Sequence, residues 1–266
     1  MKNYIAFTYL LFTCAVFGQS PLLLEDAKKF DVKSTSVANF ADNDVILYSV
    51  NYKGDLSDYD VDYVSPDLIS SAVFFVADGD FQHILTISGN NSNVETLDII
   101  EDVELQYAKV MTSGGDTINY NFEDSLVRLV YPNVEDVTSI LNLAFDGDFN
   151  ETYTASFIIS DNNTVQRLNT IGDNMLVTGS FTDVLSYGNP DGTLVTLDTI
   201  GNYGYAIAID EDGFYLWSRL FEADGLNFIR AVKTNSDGAT IFQDRISNTL
   251  VSRIDNDGGL INQTVL

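Results

Sequence analysis

The chain lacks most of what would staple it covalently or let it run acid–base chemistry. Of its 266 residues one is cysteine, Cys14, and one is histidine, His83. Cys14 falls in a stretch expected to be removed on export, so the mature chain has no thiol for a disulfide or a thiolate–zinc site. His83, between Gln82 and Ile84 at the start of an expected strand, reads as a packed or surface side chain. Nucleophile–histidine catalysis and histidine-based metal sites therefore lack their parts. Positive charge is also scarce: 13 Lys and Arg stand against 39 Asp and Glu, a formal net charge of −26. That balance excludes nucleic acid as a partner, because phosphate binding needs clustered cations. No window sustains the 3,4-spaced apolar pattern of a long helix. No P-loop, G-x-S-x-G or dinucleotide fingerprint stands in a supporting context.

The first residues are the exception to this texture. Lys2 precedes an apolar stretch from Ile5 to Phe17, and Ala15-Val16-Phe17-Gly18 offers small residues for cleavage before Gln19. The stretch is shorter than the roughly 20 residues of a spanning helix, so residues 1–18 read as a signal peptide. Export to a secreted or cell-surface location follows, with no transmembrane segment in the mature chain. Residues 19–40 form a lead-in segment, and residues 41–266 one repetitive β-domain. In that domain short runs of Val, Ile, Leu, Tyr, Phe and Thr alternate with clusters of Gly, Asn, Asp and Ser, the pattern of many strands joined by tight turns. The mature chain must bury a sizeable core without covalent help.

Five segments can be aligned on the residue that ends a turn: Gly54, Gly114, Asn163, Gly213 and Gly258. Four positions earlier stands Val50, Val110, Ile159, Ile209 or Ile254, a β-branched aliphatic each time. The spacings are 60, 49, 50 and 45. A period near 50 matches a unit of four short strands and their turns. A second half-repeat places Asp78-Gly79, Gly172-Asp173 and Asp237-Gly238 ahead of a β-run, with a compressed copy at Asp146-Gly147-Asp148-Phe149. The expected fold is all-β: a β-propeller-like array of about five roughly 50-residue blades of antiparallel strands, whole or incomplete.

The best-preserved unit, Asn174 to Leu220, contains Leu176-Val177-Thr178-Gly179-Ser180-Phe181, Gly204-Tyr205-Ala206-Ile207-Ala208-Ile209-Asp210 and Asp212-Gly213, with Trp217 four residues on. It resembles the repeats of secreted bacterial β-propeller proteins of the SBBP type, common in Bacteroidota. The resemblance covers about a fifth of the chain, and the other four units lack the Trp. It implies a propeller and a non-catalytic extracellular scaffold that binds protein or polysaccharide.

Carboxylates leave two other chemistries open. Asp210-Glu211-Asp212-Gly213, Asp255-Asn256-Asp257-Gly258 and Asp78-Gly79-Asp80 present oxygens at alternating positions, as calcium would require. None continues to an EF-hand glutamate. The aligned Asn51-Tyr52-Lys53 and Met111-Thr112-Ser113 could not ligate in the same way, and hairpin chemistry accounts for the motif with less. Paired acids could also hydrolyse glycosides on a propeller, the alternative to the binding role. Tyr, Phe and Trp217 are expected between blades, in the core. No catalytic, cofactor-binding or metal-ligating residue is singled out.

Overall fold

Runs of β-branched and aromatic residues bounded by Gly, Asn and Asp form strands throughout the computed structural model. It describes residues 35–40, 45–56, 61, 65–77, 80–102, 107–122, 126–130, 137–145, 151–160, 164–222, 228–235 and 237–266. The chain divides into two units, Met1–Asp31 and Val32–Leu266. The first, with the expected signal peptide, lies outside the described residues, as do most of the lead-in, Asp78-Gly79 and Asp146–Asn150. The protein is all-β, with three antiparallel sheets. Among the described residues no helix is long and apolar enough to cross a membrane.

The strands are β1 (Thr35–Phe40), β2 (Val45–Gly54), β3 (Ser65–Ala77), β4 (Asp80–Gly89), β5 (Glu95–Asp102), β6 (Tyr107–Gly114), β7 (Thr117–Phe122), β8 (Leu126–Val130) and β9 (Val137–Phe145). There follow β10 (Glu151–Ile159), β11 (Thr164–Ile171), β12 (Asn174–Gly188), β13 (Leu194–Ile209), β14 (Tyr215–Glu222), β15 (Phe228–Asn235), β16 (Gly238–Asp244), β17 (Thr249–Ile254) and β18 (Leu260–Val265). One sheet runs β1-β2-β3-β4-β7-β8, a second β14-β13-β12-β10-β9-β6-β5 with β11 on β12, and a third β15-β16-β17-β18.

Among the described residues this order resolves into four antiparallel four-stranded meanders: β1–β4; β5, β6, β9 and β10; β11 to β14; and β15–β18. They begin at Thr35, Glu95, Thr164 and Phe228, so the repeat is 60 to 69 residues long, not near 50. In the second and third meanders the excess includes a hairpin inserted between the second and third strands. In the second meander the hairpin is β7–β8, and β7 pairs with β4, the last strand of the meander before. In the third, residues 184–188 of β12 pair with 194–198 of β13, and 186–188 also pair with β10. In the fourth the β16–β17 connection is short, and side chains replace the hairpin. Gln243 Nε2 donates to the Phe221 and Glu222 carbonyls (both 3.3 Å), and Arg245 Nη2 to Glu222 (3.1 Å).

The third meander's arm departs from its meander at Asp183 and Gly201, opposite each other where the β12–β13 register shifts. Asp183 has φ 62° and Gly201 φ 99°. A left-handed backbone is unusual outside glycine, and Asp tolerates it when its side chain bonds locally. Here the Gly201 N–H donates to Asp183 Oδ1 (2.9 Å) and Thr199 Oγ1 donates to the Asp183 carbonyl (2.9 Å).

The expected phasing fails where these insertions act. Gly213 and Gly258 both lie between third and fourth strands, with φ 90° and 79°. Gly54 and Gly114, however, end second strands, and Ile159 ends a fourth. Asp/Gly turns are generic hairpin chemistry and recur at any of these places, so their spacing alone could not fix the period.

Three hydrophobic clusters lie between successive meanders. Adjacent residues of one strand supply different clusters, because side chains alternate across a strand. On β6, Val110 joins the first cluster and Met111 the second. On β12, Met175 and Val177 join the second and Leu176 the third; on β13, Tyr205, Ile207 and Ile209 join the second and Ala206 and Ala208 the third. The continuous apolar runs of the sequence are thus strands buried on both faces. The first strands of successive meanders, β1, β5, β11 and β15, contact one another in turn.

Candidate functional site

The polar groups buried at the joints between meanders hold the sheets together. At the first joint the Asn51 side chain on β2 completes a missing backbone partner for β5. Its Nδ2 donates to the Thr96 carbonyl (3.0 Å), and its Oδ1 accepts from the Thr96 N–H (2.7 Å). The Thr96 hydroxyl meets Ser71 (2.6 Å), which meets Ser49 (2.9 Å). Two residues along the same strand, Asp98 faces the next meander. Asp98 Oδ2 accepts from the Leu168 N–H (2.8 Å) and Oδ1 from the Ile99 N–H (3.0 Å). Burial raises the Asp98 pKa, while those two N–H groups and the Arg167 guanidinium pull it back. With both oxygens engaged, this carboxyl ties strands together.

The Asp210–Gly213 turn is the most fully bonded part of the second joint. It closes on itself, the Gly213 N–H donating to the Asp210 carbonyl (3.1 Å) and the Phe214 N–H to Asp210 Oδ1 (2.7 Å). Its outward carbonyls are taken by the preceding meander and the arm. Lys109 Nζ donates to the Glu211 carbonyl and to Asn142 Oδ1 (2.6 Å). Asn142 Nδ2 (3.3 Å) and Thr154 Oγ1 (2.6 Å) donate to the Asp212 carbonyl, and the Tyr187 hydroxyl to that of Gly213 (2.6 Å). Lys109 is fully buried. Burial lowers its pKa to about 8, against the pull of Asp210, Asp212 and Glu211. The Tyr187 hydroxyl is pushed up by burial and stays protonated.

The equivalent Asp255–Gly258 turn docks similarly on the third meander. Trp217 Nε1 donates to the Asn256 carbonyl (3.0 Å) and Arg219 Nη1 to that of Gly258 (3.5 Å). A Cβ on Gly258 would lie 2.6 Å from the Trp217 ring, so the indole packs on bare backbone. Asp255 Oδ1 accepts from Asp257 (3.1 Å) and Gly259 (2.7 Å) within the turn. Two of the three stretches considered for calcium are therefore hairpin turns closed by Asp210 and Asp255, and Asp78-Gly79 of the third lies outside the described residues. Among the described residues no three His, Cys, Asp or Glu side chains gather as a metal-holding group. His83 sits half-buried on β4, its Nε2 3.0 Å from Thr86 Oγ1 and its ring edge-on to Phe74 at 5.7 Å.

Family models, curated proteins and solved structures were each compared with the chain, and none matches.

The arm of the third meander carries exposed apolar side chains. Leu194, Thr196, Asp198 and Ile200 alternate outward along β13, and Val184 pairs with Asp198. Ile200 is 95% exposed and Leu194 60%. Sequence reasoning passed over this arm, although Asp183 and Gly201 bracket it with turn-forming residues. It also passed over Lys109, whose one local sign is a lysine inside the apolar run Ala108–Met111.

Proposed function

We propose that the chain is a secreted or cell-surface, non-catalytic scaffold of β-propeller type, which binds extracellular protein or polysaccharide. The observation that carries this reading is the burial of strands on both faces between successive four-stranded meanders whose first strands touch in turn. Blades packed around an axis have that arrangement. The SBBP-like unit fits it: its Val-Thr-Gly strand, its second β-run and its Trp217 fall on three successive strands of one meander. Asn51, Lys109, Asn142, Thr154, Tyr187 and Trp217 at the joints bond the protein's own groups, which favours a role in cohesion. Binding then falls to the exposed arm, where Leu194, Ile200 and Val184 stand among polar neighbours. Fold alone does not give function, so the site must be tested directly.

Fractionation of the producing cells should recover the protein outside the cytoplasm without residues 1–18. The mature chain should retain a ligand in a glycan array or a pull-down from extracellular material. Ile200→Asp with Leu194→Ser should abolish that capture without changing the melting temperature. No ligand in either screen, or capture indifferent to the double substitution, would remove the reading. Calcium has no structural part in it, so melting with calcium and with a chelator should coincide; a rise of several degrees with calcium would contradict this.

A further inference from the structure

Among the described residues β18 is the last strand of its sheet, and all six of its residues are exposed. Leu260 (40%), Ile261 (49%), Val265 (57%) and Leu266 (74%) place a band of apolar surface along it. Proteins usually guard such an edge with charge, proline or a covering segment. Here Gly258 to Leu266 carries no charged residue, in a chain of net charge −26. Elsewhere in this fold the fourth strands β4 and β10 each accept another antiparallel strand.

The residue types make the partner specific. Leu260-Ile261-Asn262-Gln263-Thr264-Val265-Leu266 reads as two apolar, three polar and two apolar residues, a palindrome centred on Gln263. Laid antiparallel on its own copy about that centre, Leu260 faces Leu266, Ile261 faces Val265, Asn262 faces Thr264, and Gln263 faces Gln263. The backbone phase agrees. Leu266 and Thr249 exchange hydrogen bonds with each other, and residues 251 and 264 are in register. Because the pattern alternates along a strand, the N–H and C=O groups of Gln263 and Val265 point to the open side. We infer that two copies of this chain associate about a two-fold axis through β18, joining two four-stranded sheets into one of eight strands. Such an interface is self-complementary and brings no like charges into direct opposition, while the remaining acidic surface makes association favour moderate salt.

The test is molar mass by light scattering across a concentration series, at about 0.15 M salt. The wild-type chain should move from monomer toward dimer. Val265→Lys and, separately, Gln263→Pro should each weaken association roughly tenfold or more with little change in melting. Proline at 263 removes an N–H on the open side and the Gln263 Nε2 bond to Ser252 on β17 (2.9 Å), while the backbone pairing with β17 remains. On a Cys14→Ser background, an equal mixture of Asn262→Cys and Thr264→Cys chains should oxidise to a mixed covalent dimer, with little cross-linking of either alone. A wild-type chain that stays monomeric overturns the inference. So does a dimer that survives both edge substitutions, or cross-linking as efficient in the single variants as in the mixture.

Discussion

Replacing Gly258 with alanine asks whether the last turn is held by the sheet before it. Gly258 has φ 79°, and an added Cβ would lie 2.6 and 2.7 Å from two carbons of the Trp217 ring. The substitution therefore carries two costs. A left-handed backbone at a residue with a Cβ costs about 1–2 kcal/mol, and overpacking against the ring about 1–3 kcal/mol. Gly192, at φ 84° with nothing within 4 Å of its virtual Cβ, isolates the first. Gly192→Ala should lower stability by about 1–2 kcal/mol and Gly258→Ala by about 2–5 kcal/mol. In a Trp217→Ala background the added methyl has no ring to press on, so the two substitutions should cost the same. The cycle should return a coupling of about 1–3 kcal/mol. Urea unfolding followed by circular dichroism measures each corner. Equal costs in the wild-type background, or an excess that survives loss of the indole, would refute the docking of this turn.

Two further substitutions probe the other joints. Lys109 titrates at about 8 in the fold and near 10.5 when unfolded. Between those values the unfolded chain holds more protons, so stability should rise with pH, by about 3 kcal/mol relative to Lys109→Met; parallel pH profiles for the two proteins would contradict it. Asn51→Leu strands the Thr96 N–H and carbonyl inside the first joint and should cost about 2–5 kcal/mol in urea unfolding, whereas a loss below about 0.5 kcal/mol, typical of a surface site, would show that the joint is wet.

The local part of this fold was legible in the sequence. Met175–Gly179, Tyr205–Ile209 and the run through Trp217 are strands because β-branched and aromatic residues suit a pleated, buried surface. Asp210–Gly213 is a hairpin turn because Asp bonds its own backbone and Gly accepts positive φ. What escaped depends on residues far apart. β7 pairs with β4 across β5 and β6, and no local pattern records such a register. Lys109 is recognisable as buried only when Glu211, 102 residues away, is brought to it. The hairpin insertions lengthened the meanders unequally, so a period taken from Asp/Gly turns mixed the ends of second, third and fourth strands.

Both inner meanders are covered on both faces, and thiol labelling tests that packing most directly. Val177 on β12 belongs to the cluster on one face, and Ala206 on the paired strand β13 to the cluster on the other. Cysteine nearly matches both in size, so Val177→Cys and Ala206→Cys, on a Cys14→Ser background, should fold. Stacked meanders predict that neither thiol reacts with a small reagent in the native protein, while Ile200→Cys, at a site 95% exposed, reacts at once. Labelling of either inner thiol at the rate of the Ile200→Cys control would mean that one face of the sheet is open to water, and the stacked arrangement would be wrong.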